Sequence, residues 1–183
     1  VLVEADLRRP TFSRILGTQR APGMSEVLLG DESLDDVLQP GPAPHLSVLT
    51  SGRVPPNPMD LLTRPGLERL FQALSAKFDA VVVDSPPVLP VADALVLASL
   101  VDGVVLVYKV GATSRGALKR AMSLLDQARA NVLGIVLNDV RTQLTADYDY
   151  AKYYRYYGKP AAPARHGGQA GAVEHGRGFL RMW

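Results

Sequence analysis

Short apolar runs rich in β-branched residues alternate with helical patterns along most of this chain, and few folds accommodate that rhythm. The runs lack regular polar positions, which is typical of strands covered on both faces of a sheet. Their alternation with helices predicts an α/β fold with a doubly wound, mostly parallel sheet. The predicted strands are Val1–Ala5, Leu46–Thr50, Ala80–Asp84, Gly103–Val107 and Leu133–Asn138. The predicted helices are Ser25–Leu29, Ser33–Leu38, Pro65–Lys77, Ala92–Leu100 and Ser114–Ala130.

Composition excludes several classes of protein. At 183 residues and 47% apolar content, the chain suits one globular domain with a tail. It has no cysteine and three scattered histidines, so disulfides and a zinc site are not expected. No apolar stretch approaches the roughly 20 residues needed to span a bilayer. Residues 151–183 carry six Lys or Arg against one acid, but the body is mildly acidic and lacks a basic stripe, so no nucleic-acid partner is predicted.

Six of the seven tyrosines lie within ten residues near the C-terminus. Their rings and hydroxyls cannot all be buried with satisfied hydrogen bonds, so most of them should be exposed. Such a cluster could be a phosphoacceptor segment, a recognition patch or the irregular last turn of a domain. It divides the chain into a predicted domain at 1–145, a tyrosine cluster at 146–157 and a disordered low-complexity tail at 158–183. The clustered tyrosines are Tyr148, Tyr150, Tyr153, Tyr154, Tyr156 and Tyr157.

Carboxylates follow two of the predicted strands. Glu4 and Asp6 follow the first apolar run, and Asp84 ends the run Val81–Val83. Ligands of doubly wound sheets bind beyond the carboxyl ends of the strands, where such acids can hold Mg²⁺ or accept a proton. Alternatively, a strand-end acid caps the next helix or pairs with a nearby arginine such as Arg8.

These motifs together resemble those of the bacterial tyrosine kinases that drive capsule and exopolysaccharide assembly. Val1–Pro10 resembles the family's second nucleotide-site motif (Walker A-prime), and Val81–Pro87 resembles its Walker B motif. Ser51–Leu62 is similar to its proline-rich connector. The motif order, ending in a tyrosine cluster, matches over about residues 1–157. The resemblance implies a P-loop NTPase-like fold of the deviant Walker class.

The resemblance also implies roles for individual residues. ATP and Mg²⁺ are the expected cofactors, with Asp84 and Glu4 holding the metal. Glu4 or Asp6 would be the catalytic base, and Asn138 and Arg8 would contact the nucleotide. The six clustered tyrosines would be autophosphorylated in trans within a ring-shaped homo-oligomer.

Further partners are implied by the family. They are a transmembrane polysaccharide co-polymerase adaptor, fused upstream or separate, and a cognate tyrosine phosphatase. The expected location is the cytoplasmic, inner face of the bacterial cell membrane.

The chain departs from the family pattern in two ways. Glu4 stands where the family usually has Asp, and one extra methylene can move a carboxylate by about 1 Å, which can cost on the order of 10²-fold in rate. No G-x-x-x-x-G-K-[ST] loop occurs in the sequence, although phosphoryl transfer relies on its amides and lysine. We therefore expect a fragment that lacks the phosphate cradle and the central strand before it, and that is inactive alone.

Two other functions fit parts of the pattern. A partitioning or cell-division ATPase of the same deviant class shares the strand-end acids but has no use for the tyrosines. A non-catalytic scaffold or chain-length regulator would need the tyrosines but no phosphate-binding loop.

Overall fold

A computed structural model describes residues 1–63, 65–140 and the backbone of strand 179–182, and it shows strands and helices in alternation. The strands are β1 (Leu2–Glu4), β2 (Gln39–Pro40), β3 (Ser47–Leu49), β4 (Ala80–Asp84), β5 (Gly103–Lys109), β6 (Val132–Asn138) and β7 (Phe179–Met182). The helices are α1 (Phe12–Leu16), α2 (Met24–Leu29), α3 (Leu34–Val37), α4 (Pro58–Leu62), α5 (Pro65–Lys77), α6 (Asp93–Ala98) and α7 (Arg115–Gln127).

The strands form one seven-stranded sheet in the order β2-β3-β1-β4-β7-β5-β6. Every pairing is parallel except the short β2–β3 pair. Parallel neighbours need crossover connections, and the helices supply them. The prediction of an α/β fold with a mostly parallel sheet is confirmed. The assignment to the P-loop NTPase class stays a prediction.

The core lies where β1, β3 and β4 meet the helices. Val3, Leu49 and Val83 are fully buried on these strands, and Leu74 and Leu97 are fully buried on α5 and α6. The hydrophobic core cluster extends from these residues to α7 and β5. Two of these buried strands, β1 and β4, carry the acids at their carboxyl ends.

All five predicted strands and all five predicted helices are present, with small shifts at their ends. Ser33 and Ser114 are N-caps, because each side chain accepts a hydrogen bond from an amide three residues later. The sequence pattern missed α1, α4 and β2, which have two to five residues and are too short to show a period.

The prediction that every strand is buried on both faces is wrong for β6. Leu133, Ile135 and Leu137 are each between 43% and 55% exposed. This strand is last in the order of the sheet, so it has one neighbour, β5. The exposure is explained by the position of β6 at the edge of the sheet, which cannot be predicted from the apolar content of the strand.

The last strand, β7, differs from the expectation of a disordered tail. Phe179–Met182 pairs in parallel with β4 on one side and with β5 on the other. It therefore fills the central position that was expected to lack a strand. Two strand edges with unpaired amides and carbonyls favour the insertion of a short apolar segment. The rest of the predicted tail lies outside the described residues.

The packing of α5 predicts the effect of a cavity in the core. Leu74→Ala removes a fully buried side chain, so we expect it to lower the free energy of unfolding by about 2–5 kcal/mol. Ile15→Ala is the matched control, because Ile15 is 66% exposed and should lose less than about 0.5 kcal/mol. Urea denaturation followed by circular dichroism measures both. Equal losses in the two variants would contradict this description of the core.

Candidate active site

The parallel pairing of β1 with β4 brings the acidic strand ends together. Glu4 is the register partner of Asp84, and the Ala5 amide donates to the Asp84 carbonyl oxygen over 2.8 Å. Asp6 follows two residues after Glu4, just beyond the end of β1. Three carboxylates therefore lie at the carboxyl edge of the sheet, where ligands of such folds bind.

Asp84 is the most strongly perturbed of these acids. It is half-buried, and burial is the main cause that raises its pKa from 3.8 to about 6. The neighbouring charges of Asp6 and Glu4 raise the pKa further. A half-buried carboxylate beside like charges is an environment in which a divalent cation is favourable, because the cation offsets the repulsion.

Asp6 is oriented by the turn that follows β1. Its Oδ1 accepts hydrogen bonds from the amides of Arg8 and Arg9, at 3.0 and 2.9 Å. These bonds fix the carboxylate on the surface of the turn, where it is partly exposed. Asp6 is therefore available both to a metal ion and to an incoming hydroxyl group.

Glu4 has a different environment, and it requires a revision of the predicted role. Its side chain is fully buried, and Oε1 accepts from the amides of Thr11 and Phe12 while Oε2 accepts from Ser51 over 3.1 Å. The Phe12 bond measures 2.7 Å. With both oxygens bound to backbone amides, Glu4 is poorly placed to hold a metal ion or to act as a base. We infer a structural role that joins β1, the start of α1 and the end of β3.

Arg8 is paired with an acid of α6. Its Nε donates to Asp93 Oδ2 over 2.8 Å and its Nη2 donates to Asp93 Oδ1 over 2.9 Å. Asp93 is 1% exposed and begins α6. Asp93 is therefore a first-turn residue of α6 with Arg8 as its partner. This pair occupies the Nε–Nη2 edge of the guanidinium, and the expected contact of Arg8 with phosphate stays a prediction.

Asn138 lies at the same edge of the sheet but away from the acids. It ends β6, which β7 and β5 separate from β4, so strand spacing places the two strands about 14 Å apart. The Asn138 Oδ1 accepts from the Asp139 amide over 2.9 Å. The amide side chain is exposed, and its role in reading adenine stays a prediction.

A cleft of about 530 Å³ borders Asp84 on the side towards β5. The loop Asp84–Pro90 forms one wall, and β5 and the first half of α7 form the others. Its lining is mainly apolar, with Tyr108 and Thr113 at one end. The Tyr108 hydroxyl donates to the Thr113 carbonyl over 2.7 Å, so this tyrosine is tied to the wall.

Glu26, a further buried acid that the sequence pattern missed, orders the proline-rich connector. Glu26 is 6% exposed, and it accepts from the amides of Gly23 and Arg53 over 2.8 and 3.1 Å. The Gly23 bond is the reciprocal half of a capping box, which the Gly-x-x-Glu spacing could have indicated. Glu4 and Glu26 together hold residues 51–53 against the carboxyl edge of the sheet.

The remaining acids fit a magnesium ion that is shared with phosphate. Within the described part of the chain, no group of three or more His, Cys, Asp or Glu side chains is arranged to hold a metal ion. Asp6 and Asp84 offer two hard oxygen ligands, and Mg²⁺ usually takes one or two carboxylates together with phosphates and water. The six clustered tyrosines lie outside the described residues.

In the described ranges, none of the helices is long and apolar enough to cross a bilayer.

Comparison with known proteins decides the family. No family model matches the chain. The tyrosine-protein kinase YwqD of Bacillus subtilis is 35% identical over 150 residues, which are 82% of this chain and 63% of that protein. The tyrosine-protein kinase CpsD of Streptococcus agalactiae is 34% identical over 154 residues, 84% of this chain and 67% of that protein. The chain belongs to the bacterial tyrosine kinases.

A solved structure supports the family at the level of the fold. The kinase domain of the Escherichia coli tyrosine kinase ETK superposes with a TM-score of 0.74 at 31% identity, covering 92% of this chain and 59% of that domain. The chain thus spans about two thirds of the shorter tyrosine-kinase relatives, and only 19–23% of much longer ones. Membership of the bacterial tyrosine kinases confirms the resemblance seen in the sequence.

The environment of Glu4 predicts a loss of stability. Glu4→Gln replaces one acceptor oxygen with an amide group that faces backbone donors, so we expect about 1–3 kcal/mol less free energy of unfolding. The exposed Glu68 of α5 is the control, and Glu68→Gln should change stability by less than about 0.5 kcal/mol. Urea denaturation measures both variants. Unchanged stability in Glu4→Gln would restore Glu4 as a candidate catalytic group.

The raised pKa of Asp84 predicts the pH dependence of stability. Between about pH 4 and pH 6 the folded protein keeps a proton that the unfolded chain releases, so stability falls as pH rises through this window. We expect the fall in the free energy of unfolding to be about 1 kcal/mol, after allowance for the partial exposure of the group. Asp84→Asn should remove this fall. Asp79→Asn, an exposed acid just before β4, should retain the fall. Parallel pH profiles for wild type and Asp84→Asn, measured by urea denaturation without divalent cations, would contradict this assignment.

Proposed function

We propose that this chain supplies the carboxylate part of the active site of an ATP-dependent protein tyrosine autokinase. The observation that carries the proposal is the pair of Asp6 and Asp84 at the ends of adjacent parallel strands, in a chain whose relatives are named tyrosine-protein kinases. The capsule and exopolysaccharide setting rests on the family resemblance of the sequence motifs.

In this proposal Asp84 and Asp6 hold Mg²⁺, which neutralises charge on the nucleotide phosphates when it is bound. Asp84 is ionised at neutral pH, because its pKa of about 6 lies below that value. Asp6 is partly exposed and held through one oxygen, so it is the better candidate to receive the proton of an acceptor tyrosine hydroxyl. Glu4 would act indirectly, by fixing the end of β1 from which Asp6 projects.

The proposal assigns no phosphate cradle to these residues. Phosphoryl transfer depends mainly on positioning and electrostatic stabilisation, and a glycine-rich loop with a lysine usually provides both. That loop is absent from residues 1–183. We infer that the cradle comes from polypeptide outside these residues, and that the chain alone transfers phosphate poorly.

The proposed acceptors are the six tyrosines of residues 146–157. Each phosphate adds about −1.5 to −2 charges at neutral pH, so full modification adds roughly −9 to −12. Residues 151–183 carry six basic residues against one acid, so modification would reverse the sign of this region. We propose that the reversal dissociates a ring-shaped homo-oligomer, and that a tyrosine phosphatase restores it.

The proposed setting is the inner face of the bacterial cell membrane. The much longer relatives, of which this chain covers about a fifth, support association with a transmembrane polysaccharide co-polymerase adaptor, either fused or separate. The chain would then be brought to the membrane by the adaptor.

Phosphotyrosine analysis of the protein from its own cells tests the proposal. We expect mass spectrometry to find phosphate on several of the six clustered tyrosines and none on Tyr108, whose hydroxyl is engaged with Thr113. Asp84→Asn, introduced at the gene, should reduce the modification at least about 100-fold, because a metal ligand is lost. Asp79→Asn makes the same chemical change just before β4, away from the carboxyl end of the strand, and should leave the modification unchanged.

Two outcomes would contradict the proposal. Equal modification in wild type and Asp84→Asn would show that another kinase phosphorylates this chain, as expected of a scaffold. A complete absence of phosphotyrosine, together with ATP hydrolysis that depends on Asp84, would favour an ATPase of the partitioning or cell-division type.

A further inference from the structure

Arg8 joins the two loops that carry the site acids. Its backbone amide donates to Asp6 Oδ1, while its guanidinium binds both oxygens of Asp93. Asp93 begins α6, which follows Asp84 after the loop of residues 85–92. The exit of β1 and the exit of β4 are therefore linked to each other beyond the sheet as well as within it.

The Arg8–Asp93 pair is asymmetric in its burial. The Asp93 side chain is 1% exposed and the Arg8 side chain is 38% exposed. Asp93 is therefore fixed in the protein, whereas Arg8 reaches it from the surface of the turn. If Asp93 lost its charge, the guanidinium would keep its own charge and would remain next to a cluster of carboxylates.

The neighbourhood of the turn offers an alternative partner for that guanidinium. The charge of Asp6 already contributes to the raised pKa of Arg8, after the larger contribution of its hydrogen bonds with Asp93. Arg8 is absent from the causes that set the pKa of Asp84, which are burial and the two neighbouring acids. The turn that carries Arg8 leaves β1 beside the end of β4, because the Ala5 amide donates to the Asp84 carbonyl oxygen over 2.8 Å and the Arg8 amide donates to Asp6 Oδ1.

We propose that Asp93 is a positioning residue that holds the Arg8 guanidinium away from Asp6 and Asp84, so that these two carboxylates remain available to a divalent cation. The inference rests on the metal site of the proposed function. It assigns to Asp93 an indirect role, because Asp93 itself touches neither the cation nor the acceptor hydroxyl. Without Asp93, the arginine occupies the place of the cation and neutralises the carboxylates.

Mn²⁺ binding to the full chain, measured by electron paramagnetic resonance, is the first test. Asp93→Asn should weaken Mn²⁺ binding about fivefold, the effect of one competing surface ion pair. Adding Arg8→Gln to Asp93→Asn removes the competitor, so the double variant should return to within about twofold of the wild type. Arg14→Gln is the control for charge, because Arg14 is an exposed arginine of α1, and its Mn²⁺ affinity should match the wild type.

The rescue separates positioning from a structural role. If the Arg8–Asp93 pair only stabilised the loops, the double variant would bind Mn²⁺ no better than Asp93→Asn. A failure of the double variant to recover affinity would therefore overturn the inference.

A second measurement detects the captured arginine without any metal. In a background with Asp93, the changes in urea midpoint caused by Arg8→Gln and by Asp84→Asn should add, because the two side chains do not interact. In the Asp93→Asn background they should not add, because Arg8 now pairs with Asp84. Additive effects in both backgrounds would overturn the inference.

The two measurements distinguish this inference from the proposed function. Suppose that the wild type binds no Mn²⁺, but that Arg8→Gln and Asp84→Asn are non-additive in the Asp93→Asn background alone. The anchoring of Arg8 is then upheld, and the metal site of the proposed function is refuted. If the wild type binds Mn²⁺ and Asp93→Asn binds it equally well, the metal site stands and the inference is refuted.

Discussion

The parallel register of β1 and β4 is the constraint on which the rest of the site depends. It pairs Glu4 with Asp84 and places Asp6 just beyond the same edge. Bringing three acids together carries an electrostatic cost: burial raises the pKa of Asp84 most, and the charges of Asp6 and Glu4 raise it further. Backbone amides compensate the fully buried Glu4, and the Arg8 guanidinium separately compensates the buried Asp93 nearby.

Four acids near this edge therefore have four different environments. Glu4 is satisfied by backbone amides, Asp93 by a guanidinium and Asp6 by the amides of its own turn. Asp84 is half-buried, and its pKa is raised because its surroundings penalise the charge. A carboxylate is therefore structural in one position and available for chemistry in another. Its hydrogen-bond and ion-pair partners, rather than the sequence motif, decide between these roles.

Much of the fold follows from local patterns in the sequence. The strand at Ala80–Asp84 and the helix at Pro65–Lys77 have the bounds that apolar runs and periodicity predict. The sequence also indicates Asp84 and Asp6, because strand-end acids of a parallel sheet converge at one edge. The partner of Asp93 is not predictable in this way, since the pair with Arg8 joins residues 85 positions apart.

Two further differences between the sequence expectations and the structure have physical causes of the same kind. Glu4 matches a motif position, but its oxygens accept hydrogen bonds from the amides of residues 11, 12 and 51. These amides come together only in the folded chain. Strand β7 was expected to be disordered because its surroundings are rich in glycine, yet β4 and β5 leave a place between them that pairs its backbone on both sides. Local composition does not report such long-range pairing.

The central claim is that Asp6 and Asp84 together form a divalent-cation site. Paramagnetic broadening by Mn²⁺ in the ¹H–¹⁵N spectrum of the full chain tests it most directly, because the broadening falls steeply with distance from the ion. We expect broadening centred on the amides of residues 5–7, 84 and 85, which Asp84→Asn abolishes. Broadening centred elsewhere, or unchanged in Asp84→Asn, would contradict it.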